Sequence, residues 1–154
     1  MGMLTDVFVA TRDEADALDL RWGPAGPPPA GPGPHEPLFP TVQAKWLDPV
    51  LLSRLETSLT GTTFEQMLPN LSGGYQRMDN LEDGPWLTGV RPSLAAALAL
   101  LSEDDVAHVT SSWMTAEEMA EWSAADAGWV VTELRRLAGV GQSTGREMFV
   151  WMCL

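Results

Sequence analysis

The chain has little of several residue types on which common protein chemistry depends. Its 154 residues include one cysteine, one tyrosine and two histidines, and Lys45 is its single lysine. Cys153 alone cannot form an intrachain disulfide. One cysteine and two distant histidines cannot supply a zinc site by any usual spacing. We therefore predict neither a disulfide nor a metal site.

Recognisable catalytic and nucleotide-binding motifs are also missing. The sequence Gly139-Val140-Gly141 lacks the third glycine of a dinucleotide-binding loop, and Gly73-Gly74 is not followed by Lys and Ser or Thr. No G-x-S-x-G nucleophile elbow occurs. We predict no cofactor, and the balance leans away from an enzyme.

Positive charge is scarce. Nine basic residues face 21 acidic ones, which gives a formal net charge of −12. This balance argues against binding to nucleic acid or to an anionic membrane, and it leaves basic proteins or cations as partners. No apolar run approaches the roughly 18 residues that span a bilayer, and the first residues lack a basic region. We expect a cytoplasmic protein, and the scarcity of lysine indicates a bacterial genome of high GC content.

The acidic residues concentrate in one segment. Between Arg91 and Arg135 there are eight carboxylates and no lysine or arginine. Six of the eight fall near the predicted starts of two helices, after Ser102 and Thr115, where the helix dipole favours negative charge. Two successive helix starts therefore account for most of the one-sided charge, but not for the lack of a compensating basic residue on those helices.

Strand patterns occur at both ends of the sequence and helix patterns between them. The segments Leu4–Thr11 and Glu147–Leu154 are rich in β-branched and aromatic residues, and the second is apolar on both faces. We predict an α+β fold: a helix-rich single domain, residues 1–154, with a small sheet that contains both terminal strands. Residues 23–40 hold eight prolines and four glycines and should form an exposed loop.

Capping signals locate the helices. Asp48-Pro49 opens one helix, which Gly61 closes. The segment Pro92–Leu101 is apolar nearly all round and predicts a central helix. Thr115 and Glu118 match a capping box, so we expect the longest helix over residues 116–138, with Gly139 as its terminator and residues 141–145 as a turn.

Seven tryptophans are many for this length, and most of them should pack in the core. Trp122, Asp126 and Trp129 share one stripe of the predicted long helix. Asp126 either reaches water at the margin of this stripe, or pairs with Arg91 or another arginine, or serves as an acid in a pocket. Trp86 lies in a short apolar segment that should pack onto the core.

His108 stands four residues after Asp104 on a predicted helix. A carboxylate at this spacing can orient the imidazole as a general base, although an exposed pair on a helix surface has the same spacing. The candidate ligand-binding residues are thus Trp86, Trp122, Asp126, Trp129 and His108, with no catalytic residue assigned.

Several short motifs resemble the uncharacterised bacterial YfbM-like family. They are Met1-Gly2-Met3 before a strand, Leu59-Thr60-Gly61-Thr62 after a helix, and Gly84-Pro85-Trp86-Leu87-Thr88, followed by an acidic helix, a long helix and a terminal strand. The Pro/Gly-rich tract and the tryptophan content depart from that family. The resemblance implies an α+β fold and carries over no catalytic residues.

Two functions from different classes fit these observations. The first is a non-catalytic protein-binding module, for example one that neutralises a basic partner or toxin. The second is a small enzyme or ligand-binding domain with a tryptophan-lined pocket that contains Asp126 or His108. The sequence leaves the oligomeric state open.

Overall fold

A computed structural model describes residues 2–79 and 82–154. It confirms the α+β prediction, with a five-stranded antiparallel sheet in the order β2-β1-β5-β4-β3. The strands are β1 (Leu4–Ala10), β2 (Thr41–Lys45), β3 (Gln76–Met78), β4 (Trp86–Gly89) and β5 (Glu147–Cys153). The helices are α1 (Arg12–Ala17), α2 (Pro49–Thr60), α3 (Phe64–Met67), α4 (Pro92–Leu100), α5 (Val106–Trp113) and α6 (Ala124–Thr144).

The first and last strands pair with each other, as predicted. The register runs from Leu4 opposite Cys153 to Ala10 opposite Glu147. Strand β5 is interior because β4 pairs with its other side. Its apolar residues on both faces are buried accordingly, which is the pattern that an interior strand requires.

The sheet separates two apolar clusters. Val7 and Val150 belong to the main core, which α2, α4, α5 and α6 cover. Phe8 and Phe149, one residue along each strand, belong to a smaller cluster on the opposite face, under α1. Alternation along the strands therefore assigns each residue of β1 and β5 to one face.

Local capping signals place the first helices as predicted. The Thr11 hydroxyl accepts a hydrogen bond from the Glu14 amide, and the Glu14 carboxylate accepts one from the Thr11 amide. Asp48 caps α2, and Gly61 ends it in the left-handed conformation. These bonds satisfy amides and carbonyls that a helix end leaves unpaired.

The predicted start and end of the long helix were wrong. Residues 117–119 form a 3₁₀ turn, and α6 begins after Ser123, whose hydroxyl accepts a hydrogen bond from the Asp126 amide. The helix then continues through Gly139 to Thr144, and Gly145 ends it with φ 67°. Trp122 consequently precedes the helix instead of lying on it.

Helix α4 is less central than its composition predicted. Leu94 and Leu98 face the core, whereas Leu100 is 81% exposed. The helix packs against α2, α6 and β5 through its core-facing side. Its many alanines leave little side chain to bury on the other side.

The short strands β2, β3 and β4 were not predicted. Strand β2 follows the Pro/Gly-rich tract and pairs with the outer side of β1. Residues 27–38 are exposed, as expected of that tract, but its first residues are not. Gly23 is buried against the Trp151 indole, where a side chain at φ 60° would lie within 2.5 Å of the ring.

Candidate functional site

A cleft of about 1230 Å³ lies beside strand β2 and the first turns of α6. Aromatic side chains from four separate parts of the chain line it. They are Trp22, Trp46, Trp122, Trp129 and Trp151. Five of the seven tryptophans thus meet at one place, which is the size and aromatic character of a ligand-binding cleft.

The cleft follows the outer edge of β2. Gln43, Ala44 and Lys45 are consecutive in this strand, and all three line the cleft although their side chains alternate between the two faces of the sheet. On one face Gln43 neighbours Asp6 and Trp151 across the register. The other face is covered by α6. The cleft therefore extends along a strand that, among the described residues, has no neighbouring strand on its outer side.

Three of the tryptophans are substantially exposed. Trp22 is 40% exposed, and Trp46 and Trp129 are each 52% exposed. Exposing several indoles at one place leaves apolar area in contact with water, which marks interaction sites. Trp46 also has φ 61°, a conformation that bulky residues avoid because Cβ approaches the following carbonyl.

Asp6 lies on the floor of the cleft. Asp6 is only 5% exposed. It lies on β1, between Gln43 of β2 and Trp151 of β5. Burial raises the pKa of Asp6 from 3.8 to about 6, and a hydrogen bond with Gln43 opposes part of that rise. A carboxyl group that titrates near neutral pH inside a cleft is a feature of functional sites.

The remaining carboxylates of the cleft have different surroundings. Asp48 accepts the Leu51 amide at 2.8 Å as the cap of α2. Glu118 accepts a 2.8 Å hydrogen bond from Arg54, which holds the pKa of Glu118 below its ordinary value. Glu121 forms no ion pair with the part of the chain that the structure describes.

The charge of the cleft is strongly negative. Five carboxylates line it: Asp6, Asp48, Glu118, Glu121 and Asp126. Within the described ranges, Lys45 is the only basic residue of the lining. Low-dielectric walls concentrate the field of such a cleft and attract ligands of opposite charge.

The residues predicted from sequence divide into two groups. Trp122, Asp126 and Trp129 line the cleft. Trp86 is half-buried on β4 against the main core, and His108 is exposed on α5, and neither lines the cleft. The predicted stripe on the long helix is only partly formed. Asp126 and Trp129 lie on α6, whereas Trp122 precedes the helix and packs on Trp113 with ring centroids 5.9 Å apart.

Asp126 has a hydrogen-bond partner other than an arginine. It accepts a 2.7 Å hydrogen bond from the Ser123 hydroxyl at the start of α6. Arg91, its suggested partner, instead donates to Glu56 at 2.8 Å. Asp126 is exposed, so it reaches both water and the cleft.

Sequence reasoning missed Asp6, Trp22, Trp46 and Trp151 as residues of one site. The register of the sheet brings them together, and no local spacing encodes it. One signal was available: Asp6 is the single charged residue in strand β1. A carboxylate at a position that alternation predicts to be buried is a candidate functional group.

Residues 2–79 and 82–154 contain no group of three or more histidine, cysteine, aspartate or glutamate side chains suited to a metal ion. Among the described helices, none combines the length and the apolar character that crossing a bilayer requires.

No protein-family model matches the chain, and no curated protein or solved structure matches it significantly. The resemblance to the YfbM-like family therefore stays a prediction. The functional interpretation depends on the cleft itself.

Proposed function

We propose that this chain is a non-catalytic binding module whose cleft captures the cationic side chains of a basic protein partner, such as a basic toxin. One observation carries the proposal: exposed tryptophans and carboxylates line the same cleft. This arrangement suits ligands that are both apolar and positively charged.

Arginine and lysine side chains have this dual character. Their methylene stems pack on apolar surface while their charged ends stay near water or carboxylates. A cation over an indole face gains about 0.5–1 kcal/mol at an exposed site and more where water is excluded. Trp46 and Trp129 supply exposed indoles, and Glu121 supplies a carboxylate that no described arginine neutralises.

The proposal joins the two hypotheses drawn from the sequence. The acidic composition suggested a basic partner, and the tryptophans suggested a pocket. In the fold both properties occur at one surface, because α6 brings Asp126 and Trp129 over β2. The cleft therefore offers the partner both shape and charge.

Tryptophan fluorescence gives a direct test, because five of the seven indoles line the cleft. Titration with an oligoarginine peptide at low salt should change the emission, and titration with oligoglutamate should not. Raising the salt concentration should weaken the complex, since exposed charges are screened within about 10 Å at 0.1 M. Absence of binding by oligoarginine at low salt would contradict the proposal.

Two neighbouring glutamates provide a matched control. Glu121 lines the cleft and Glu117 does not, and both are exposed. Glu121→Gln should weaken oligoarginine binding about twofold to fivefold, the effect of one exposed charge pair. Glu117→Gln has the same change in net charge and should have a smaller effect. Equal weakening by both variants would indicate nonspecific attraction to the acidic surface.

A small enzyme or ligand-binding domain is the second candidate, and Asp6 is the observation that favours it. A buried carboxyl with a pKa of about 6 can exchange protons with a ligand near neutral pH. This function is tested by incubating the protein with a candidate ligand and using mass spectrometry to detect chemical change in that ligand. Chemical change that Asp6→Asn abolishes would support it, and an unchanged ligand would oppose it.

A further inference from the structure

We infer that the partner contributes an extended basic segment that adds to the sheet as a sixth strand along β2, with its side chains alternating between the two walls of the cleft. This inference rests on the proposed function and names the form of the partner. It depends on the backbone of β2.

Only alternate residues of β2 direct their backbone N–H and C=O groups toward β1. The Trp46 amide donates to the Met3 carbonyl, and the Val9 amide donates to the Pro40 carbonyl. Hydrogen-bonded pairs alternate along an antiparallel ladder. The register therefore makes Val42 and Ala44 hydrogen-bonded to β1 as well.

The residues between them, Gln43 and Lys45, direct their N–H and C=O groups to the opposite side. That side is the outer edge of the sheet. No residue of the described part of the chain bonds to these backbone groups. Unpaired edge groups of this kind accept an added strand.

This edge lies along the cleft. Gln43 and Lys45 line it, and the walls rise on both sides: Trp22 and Asp6 toward one face of the sheet, Trp129 toward the other. An extended segment paired with β2 would direct alternate side chains into the two walls. Cationic or apolar side chains on each face would then meet indoles and carboxylates.

Charge selects the occupant among extended segments. The chain carries a net charge of −12, so a second copy of it would be repelled at this edge, whereas a basic segment would be attracted. The edge has little protection against pairing, because β2 contains no proline and Lys45 is its single charged residue. An extended basic segment therefore fits both the backbone and the walls.

The test uses the full chain and a peptide of alternating arginine and valine with blocked ends. Two isomers carry backbone N-methyl groups, one on every arginine and one on every valine. A strand that pairs along one edge uses only alternate amides, so one isomer should bind at least about tenfold more weakly and the other should match the parent. Equal binding by both isomers would overturn strand addition.

Hydrogen exchange on the complex provides a second readout that needs no variant. The amides of Gln43 and Lys45 should exchange at least about tenfold more slowly when the peptide binds. The amides of Val42 and Ala44, which already face β1, serve as internal controls and should change little. Binding without protection of the outer pair would leave the proposed function standing and overturn strand addition.

Two variants of Lys45 distinguish the effect of its backbone amide on peptide binding from the effect of its side-chain charge. Lys45→Gln removes the basic residue and keeps the amide, so peptide binding should tighten about twofold to fivefold. Lys45→Pro removes the same charge and also the outer donor, so binding should be about tenfold weaker than in Lys45→Gln. If both variants tighten binding equally, the edge backbone has no role.

The remaining outcomes are distinct. If none of the peptides binds, the proposed function itself fails and the inference fails with it. If light scattering shows a dimer whose outer β2 amides are protected without peptide, the occupant is a second copy, which overturns the basic segment as partner.

Discussion

Arg91 donates a hydrogen bond from its Nε to Oε2 of Glu56 at 2.8 Å, and so joins the start of α4 to the middle of α2. The Glu56 side chain is fully buried, and its other oxygen accepts a hydrogen bond from Ser93. Two elements of the helical layer are therefore connected through one buried carboxylate.

Arg91→Ala should destabilise the fold by about 3–5 kcal/mol, because it leaves a buried carboxylate without its cation. Urea unfolding monitored by circular dichroism measures this change in free energy. Arg136→Ala is the control, since its pair with Glu133 is partly exposed to solvent, and its loss should cost less than about 1 kcal/mol. Similar losses in the two variants would contradict a structural role for Glu56.

The stability of the fold should depend on the protonation of Asp6. Its pKa is about 6 in the folded chain against an ordinary value of 3.8, so the folded state binds more protons between these pH values. The contribution of Asp6 to stability therefore falls as pH rises from about 4 to about 6, and is constant above. Asp6→Asn should be more stable than the natural chain by about 2–3 kcal/mol near pH 7.5 and equal to it below about pH 4.

Urea unfolding at both pH values measures this difference, and the surface variant Asp13→Asn controls for general charge effects. A stability difference between Asp6→Asn and the natural chain that stays the same at both pH values would show that Asp6 is not the titrating group.

At Trp46, substitution by glycine should be less destabilising than substitution by alanine, which is the reverse of the usual order. Its φ of 61° disfavours any side chain, so Trp46→Gly should be more stable than Trp46→Ala by roughly 0.5–1 kcal/mol. Both variants should weaken oligoarginine binding at the cleft about twofold to fivefold, because both remove one exposed indole. Melting temperatures and fluorescence titration give the two readouts, and an alanine variant more stable than the glycine variant would refute the left-handed assignment.

The start of α6 predicts a contrast between two similar residues. Ser123→Ala should destabilise the fold by about 1 kcal/mol, because the Ser123 hydroxyl accepts the Asp126 amide. Thr115→Ala should have little effect, since the Thr115 hydroxyl only donates to the Ser112 carbonyl. Thermal unfolding compares them, and the opposite ranking would return the helix start to Thr115.

Substitution by alanine should have opposite effects on stability at two glycines of α6. Gly139→Ala should stabilise the fold by about 0.5–1 kcal/mol, because its added Cβ meets no atom within 4 Å and alanine favours helix. Gly141→Ala should destabilise it by about 1–3 kcal/mol, since its Cβ would lie 2.9 Å from the Arg146 carbonyl oxygen. Denaturant midpoints test the pair, and stabilisation by both substitutions would contradict the close approach.

Sequence reasoning was accurate where short-range chemistry decides the structure. The caps at Thr11, Asp48 and Gly61 are settled by neighbouring residues, and each was predicted. Strand β5 was also predictable, because apolar residues on both faces have few other solutions. These elements establish the α+β class.

It failed where competing local signals are resolved by tertiary contacts. Both Thr115 and Ser123 precede an acid by three residues, but packing of Trp122 on Trp113 accompanies a helix start at the second. Gly139 and Gly141 resemble helix terminators, yet Gly141 is small so that α6 can approach Arg146 and Val9. The segment between these signals cannot be assigned from spacing alone.

The candidate site was predictable only in part for a related reason. Trp122, Asp126 and Trp129 are near one another in sequence, so spacing grouped them. Trp22 and Trp151 meet because Gly23 packs on the indole of a strand far along the chain. Long-range register is set by the whole sheet, and one sequence does not reveal it.

The pairing of β1 with β5 has a consequence for synthesis of the chain. The sheet has its first strand and its last strand side by side, so β1 has no partner on that side until residues 147–153 have left the ribosome. Until then the apolar residues of β1 and β4 lack their shared neighbour. Ribosome-bound chains that stop before β5 should therefore be sensitive to protease and prone to aggregate, because contacts between distant residues form last.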